Sequence, residues 1–299
     1  MSTQEAPGGY PVPVERSDGP ETCPYKTVGG EEILADVYPP LEGEPGAVIV
    51  FIHGGCLMYG DRHGFHSAHL EAYRRAGYTV ISLDYRLAPE TKLPEIIADL
   101  RDAIHWVAEA GPQRFDVDPE RIAVVGHSAG GYLTLMAGVC ATPRPRALVS
   151  FYGYGDIVAD WYGKPDPFYC QQPRVSAEEA EHNRGRLYLY YRQNGLWPRE
   201  VGGRDPATEP EFFVPYCPAH NVGTDYPPTL LLHGDQDTDV PYAQSVQMAE
   251  VLTRHGVPHE LVTMAGYGHG FDGKMDDPMV QAAFQRVLAF LDSHTQTGR

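Results

Sequence analysis

The sequence predicts an α/β protein: a mostly parallel sheet with helices on both faces and a cap-like insertion. From about residue 47 onward, short apolar runs alternate with segments whose apolar residues recur at helical spacing. The short runs are apolar on both alternations, as strands covered on both faces read. Strand, helix, strand repeats of this kind favour parallel pairing through crossover connections.

The first stretch, MSTQEAPGGYPVPVERSDGPETCPY, is rich in Pro and Gly and has no apolar h-region. Residues 1–29 are expected to be an N-terminal arm with little regular structure, and 30–299 a single α/β domain that carries the insertion. EEILADVYPP reads as an antiparallel edge strand. The core strands follow as AVIVFI (Ala47 to Ile52), TVISLDY (Thr79 to Tyr85), RIAVVG (Arg121 to Gly126), RALVSFY (Arg146 to Tyr152), TLLLHG (Thr229 to Gly234) and HELVTM (His259 to Met264). Ile97, Leu100, Ile104 and Val107 mark a helix entered by Pro94 and ended near Gly111. Val280, Phe284, Val287, Leu288 and Leu291 mark the last helix, with Asp277 and Pro278 as cap and first turn. From 153 to 226 no strand is expected, and aromatic residues crowd in. Ser176 followed by Glu179 is a capping-box pattern, predicting one helix through AEEAEHNRGRLYLYYRQN that stops at Gly195. The segment is too long for a plain connection and reads as an insertion over one end of the sheet.

Composition excludes several functions. With 40 acidic against 23 basic side chains, the formal charge is −17, so a polyanion such as nucleic acid is repelled. Cys23, Cys56, Cys140, Cys170 and Cys217 are scattered, odd in number and without CxxC spacing, which suggests neither a disulfide framework nor a zinc site. No run of apolar residues is long enough to span a bilayer. The expectation is a cytoplasmic protein without a membrane anchor; self-association is left open.

The chemistry centres on VVGHSAGG. Ser128 falls between a strand and a helix, flanked by Gly126, Gly130 and Gly131, the pattern of a nucleophile elbow whose small neighbours let the chain pass close by while Oγ projects outward. A serine needs a base and a group that orients it. HGDQDTDVP places Asp235, Asp237 and Asp239 on the loop after TLLL, and GYGHGF places His269 on the loop after HELVTM. Ser, Asp, His is the chain order expected of this constellation on an open α/β sheet. The plainer reading of each acid is a turn residue or helix cap, and of His269 a solvated loop histidine.

Over about residues 30 to 292 the sequence resembles the alpha/beta-hydrolase superfamily, in its esterase and lipase branches. HGG (His53 to Gly55) resembles the oxyanion-loop motif, and DYRLAPE (Asp84 to Glu90) is similar to a stretch of hormone-sensitive-lipase-like esterases. GHSAGG resembles the elbow, and HGDQDTDVP and GHGF the acid and histidine loops. The pattern His-Gly-x-x-Asp-x-x-Val-Pro is similar to that of prolyl-oligopeptidase and feruloyl-esterase relatives and implies Asp237 as the acid. Where many relatives carry a third glycine after HGG, this chain has Cys56. Only backbone N–H groups are needed there, so the resemblance implies oxyanion donors at Gly55, Cys56 and Ala129.

Other residues are discounted. Cys56 as nucleophile has no base motif assigned to it. His63, His66 and His69 recur every third position but lack an accompanying carboxylate or cysteine, so a solvated helix face is expected rather than a metal site. His127 is given no catalytic step. Most aromatics of the insertion are expected in the core and a minority in the pocket. No metal or organic cofactor is implied. The reading is a serine hydrolase, Ser128 with His269 and Asp237, acting on a small or medium ester. The alternatives are an amidase or peptidase, including an aryl-formamidase type, with the same triad, or a silent ligand-binding protein on the same fold.

Overall fold

The computed structural model describes residues 19–43 and 46–295. Its strands are β1 (Glu21–Val28), β2 (Glu31–Tyr38), β3 (Val48–Ile52), β4 (Thr79–Leu83), β5 (Ile122–His127), β6 (Ala147–Phe151), β7 (Thr229–Gly234) and β8 (His259–Met264). They form one sheet in the order β1-β2-β4-β3-β5-β6-β7-β8. The β1–β2 and β2–β4 pairings are antiparallel. From β4 onward every pairing is parallel.

Apolarity on both alternations has the expected origin. Along β3, Val48, Val50 and Ile52 belong to one core and Ile49 and Phe51 to the other. The helices are α1 (Ser67–Arg75), α2 (Leu93–Phe115), α3 (Ala129–Cys140), α4 (Asp160–Gly163), α5 (Ala177–Glu181), α6 (Arg184–Asn194), α7 (Trp197–Gly202), α8 (Pro210–Phe213), α9 (Ala243–Arg254) and α10 (Pro278–Thr295). α2, α3 and α9 send their apolar residues into the first core, α1 and α10 into the second. Asp277 caps α10 by accepting the Met279 N–H at 2.9 Å.

Four expectations are corrected. Residues 21–28, placed within the N-terminal arm, form β1, while residues 1–18 of that arm lie outside the described residues. Pro24 sits where the β1–β2 register shifts, on an edge strand, where a missing N–H is tolerated. EEILADVY is therefore an inner strand, paired on both sides. α2 passes Gly111 and Pro112 and ends at Phe115. Gly111 belongs to the turn that closes the helix: its carbonyl accepts the Val117 N–H at 3.3 Å and an added Cβ would lie 3.2 Å from the Val117 side chain, so the stop falls after it, at left-handed Asp116. The single helix expected over 177–194 is two: α5 carries the Ser176–Glu179 capping box, and Asn183 then caps α6 by accepting the Arg186 N–H. α6 does end at Gly195, in the left-handed conformation.

α4 to α8 all lie between β6 and β7, within the segment expected as an insertion. Much of it packs into the first core through Tyr162, Tyr188, Tyr191, Trp197 and Phe213.

Candidate active site

Ser128 joins β5 to α3 with φ 55° and ψ −118°, a conformation that non-glycine residues rarely adopt. Close packing holds it. A Cβ on Gly126 would lie 2.2 Å from the Gly130 carbonyl oxygen, and one on Gly130 only 2.0 Å from that of Ile52, so only glycine fits at either position. The Ser128 N–H donates to the Phe151 carbonyl at 2.9 Å, tying the elbow to the end of β6. Although Ser128 is the N-cap of α3, its hydroxyl makes no capping bond. Oγ therefore remains available to another partner.

That partner is His269, whose Nε2 lies 3.1 Å from Ser128 Oγ. Its Nδ1 lies 2.7 Å from Asp237 Oδ2. The acid and histidine loops meet closely: a Cβ on Gly234 would sit 2.2 Å from the Tyr267 carbonyl oxygen. The Gln236 N–H donates to that carbonyl at 2.9 Å. Asp235 serves the same junction, accepting the Gly266 N–H at 2.7 Å. Asp237 Oδ1 accepts the N–H groups of Asp239 at 2.8 Å and Val240 at 3.0 Å. His233 Nε2 lies 3.2 Å from Asp237 Oδ2. Burial raises the Asp237 pKa, but the hydrogen bonds from His233 and His269 outweigh it and hold the carboxyl well below the usual range. For His269, burial lowers the pKa, while the Asp237 hydrogen bond and the charges of Asp239 and Asp237 raise it. The net shift is upward from 6.5.

The loop after β3 faces Ser128. Gly55, Cys56 and Leu57 all have positive φ, at 102°, 58° and 61°. For Cys56 and Leu57 this costs about 1–2 kcal/mol each. The loop is braced from several sides. Trp197 Nε1 donates to the Cys56 carbonyl at 3.0 Å, and the Ala88 N–H to the Leu57 carbonyl at 2.8 Å. Tyr85 stacks on His53, ring centroids 4.2 Å apart, and donates its hydroxyl to the His53 carbonyl. DYRLAPE thus supports the loop that HGG begins. The Cys56 thiol is buried, which pushes its pKa up to about 12, so it is no thiolate nucleophile at neutral pH.

Between these elements lies a cavity of about 350 Å³ bordered by Ser128, His269, His53, Cys56, Tyr59 and Asp239. None of the insertion's aromatics borders it, contrary to the expectation that a minority would. Tyr169, Tyr188 and Trp197 stand one layer back, bonded to the lining residues Asp239 and Cys56. The Asp239 side chain was read from sequence only as a rival for the acid; it faces this cavity, and Tyr169 and Tyr188 hold it from behind.

The histidine triplet divides. His66 caps α1, and exposed His63 lies near Asp36 and Asp61. His69 is buried rather than solvated. Sequence spacing could not show this, because its neighbours come from distant elements, His127 from the end of β5 and Asp272 from the segment after β8. His69, His127 and Asp272 are the one group among the described residues whose atoms could converge on a metal ion, within 4.8 Å of one another. Asp272 already accepts the Tyr152 hydroxyl and has His127 Nδ1 at 3.3 Å, and its backbone carbonyl lies 3.2 Å from His69 Nε2, while His69 Nδ1 and His127 Nε2 have no hydrogen-bond partner among the described residues.

An open, mostly parallel sheet with a serine elbow, an acid loop and a histidine loop at its carboxyl edge defines the class as an α/β-hydrolase. Residues 35–252 match the BD-FAE family model, and the chain belongs to that family, within the esterase and lipase side of the superfamily. Esterase LipC of Mycobacterium tuberculosis is 32% identical, over 77% of this chain and 54% of LipC. The non-reducing polyketide synthase Preu6 of Preussia isomera is 28% identical over 85% of this chain, which spans only 14% of that protein. Among solved structures, esterase Est2 of Thermogutta terrifontis superposes with a TM-score of 0.67 at 24% identity, covering 92% of each chain. A Staphylococcus aureus protein of unknown function superposes with a TM-score of 0.76 at 22% identity, over 92% of this chain and all of that one.

Proposed function

We propose that the protein is a serine hydrolase that cleaves carboxylic esters of small to medium size through an acyl-enzyme. The observation that carries the reading is the continuous contact from Ser128 Oγ through His269 to Asp237, 3.1 and 2.7 Å long, beside the cavity. Ser128 Oγ attacks the ester carbonyl carbon while His269 Nε2 takes its proton. Asp237 holds Nδ1–H, fixing the tautomer, and stabilises the imidazolium. The carbonyl electrons move onto oxygen, which the N–H groups of Gly55, Cys56 and Ala129 receive. Ala129 begins α3, so its N–H has no intrahelical acceptor. The tetrahedral intermediate collapses, His269 returns the proton to the departing alkoxide, and water repeats the sequence on the acyl-enzyme to free the acid.

Relatives support the substrate class. LipC is an esterase, and Est2 is known with propionate, with butyrate and phosphorylated by paraoxon. By extension, short acyl groups suit this chain and an organophosphate modifies Ser128. The segment 153–226 acts as a cap that fixes the oxyanion loop through Trp197. The five free thiols suit a reducing compartment, and no described helix is long and apolar enough to cross a membrane. The test compares p-nitrophenyl esters of increasing acyl length with amino-acid anilides. Higher kcat/KM on the short esters is expected; preference for the anilides would favour the amidase reading.

A further inference from the structure

Asp239 has two carboxylate oxygens with different surroundings. Oδ1 accepts hydrogen bonds from the hydroxyls of Tyr188 at 2.6 Å and Tyr169 at 2.8 Å, and lies 3.1 Å from Arg192 Nη1. Arg192 Nη1 also donates to the Asp239 backbone carbonyl at 3.0 Å. The guanidinium is 1% exposed and is boxed by rings, the nearest being Tyr169 at 4.7 Å and Tyr162 at 4.9 Å. Its Nη2 pairs with a second carboxylate, Asp166. One buried cation is thus shared by two acids.

Oδ2 makes none of these bonds. It lies 3.6 Å from His269 Nε2, and its residue borders the cavity beside Ser128. Among the described residues, no lysine or arginine borders that cavity. Burial lowers the pKa of both His53 and His127, so the other bordering imidazoles bring no cation at neutral pH. A carboxylate serving only to brace the loop would need Oδ1 alone. Here α6 supplies an arginine and a tyrosine, and Tyr169 a second hydroxyl, to hold Oδ1 while the other oxygen lies beside His269 Nε2.

The position also selects one side of the substrate. His269 Nε2 must reach the leaving oxygen at about 3 Å to return the proton. A group 3.6 Å from Nε2 therefore stands next to the alcohol half of the ester. Resting on the ester-hydrolase reading, we propose that Asp239 is an anionic subsite for the leaving group, and that the preferred substrates are esters whose alcohol carries a protonated amine. An ammonium two carbons from the ester oxygen can reach Oδ2 while the carbonyl stays on Ser128. An alcohol bearing a carboxylate is repelled.

The test uses isosteres. 2-(Dimethylamino)ethyl butyrate, protonated at neutral pH, and 3-methylbutyl butyrate have the same shape and differ in charge. The wild-type enzyme is expected to favour the cationic ester in kcat/KM by about tenfold or more, and the Asp239→Asn variant to bring the ratio close to one. Taking the ratio within each variant cancels any general loss of activity. Tyr169→Phe removes a brace and keeps the carboxylate, so it should retain the preference. Binding of the two esters to the Ser128→Ala protein, by calorimetry, gives the same comparison without turnover. A wild-type ratio near one, or a preference that survives Asp239→Asn, overturns the subsite and leaves the hydrolase reading standing. If neither ester is hydrolysed the hydrolase reading fails, and the binding ratio then decides the subsite by itself.

Discussion

Replacing Trp197 by Phe tests whether the cap holds the oxyanion loop. The indole is fully buried, stacks on Tyr162 with ring centroids 4.1 Å apart, and donates Nε1–H to the Cys56 carbonyl at 3.0 Å. Phe keeps the stacking and deletes the donor. A buried carbonyl left without its partner costs about 1–3 kcal/mol. The loop it belongs to carries strain at Cys56 and Leu57, about 1–2 kcal/mol each, which favours relaxation once the brace is gone. An oxyanion donor contributes about 2.7–4 kcal/mol to the transition state, and a tilted loop forfeits part of that. The expected result is a kcat on p-nitrophenyl butyrate lower by about 10- to 100-fold with KM within a few-fold, and a urea stability lower by about 1–3 kcal/mol. Wild-type kcat together with lost stability would refute the reasoning, reducing the indole bond to core packing.

The other predictions concern the acid and the base. Asp237→Asn should lower kcat by about 10³–10⁴, because His269 loses the partner that fixes its tautomer, while Asp235→Asn should change it by less than about threefold; equal effects in steady-state assays would mean the acid is misassigned. His269 works as a base only when neutral, so kcat/KM should rise with pH through a pKa above 6.5. Asp239 is one of the charges raising that pKa, so Asp239→Asn should move the acid limb to lower pH; a limb that stays in place or moves upward would contradict the placement of Oδ2 beside Nε2.

Which features were legible in the sequence follows from how local their cause is. β3 to β7 are buried along their whole length and mostly apolar on both alternations, and five or six residues suffice to show it. The elbow was legible because Gly126 answers a steric demand within a few residues, the Gly130 carbonyl, while Gly130 itself answers to the distant Ile52 carbonyl. The acid was separable from its neighbours only through motif resemblance, since Asp235, Asp237 and Asp239 look alike in composition and differ in what distant loops bring to them. β1 was missed because its alternation is interrupted by Pro24, which an edge strand tolerates. His69 was misread because burial against Asp272 and Phe284 is a tertiary fact. The insertion's tyrosines were read as pocket or core, whereas two of them serve a polar role, holding Asp239 from behind.

The central claim is that Ser128 is the nucleophile, and covalent labelling measures it most directly. The purified protein is treated with a fluorophosphonate, digested, and its peptides sequenced by mass spectrometry. A single adduct on Ser128, absent from Ser128→Ala and greatly slowed in His269→Ala, is the predicted result, together with a loss of ester hydrolysis of about 10⁴ or more in both variants. Labelling that persists in Ser128→Ala, or hydrolysis by that variant near the wild-type rate, would contradict it.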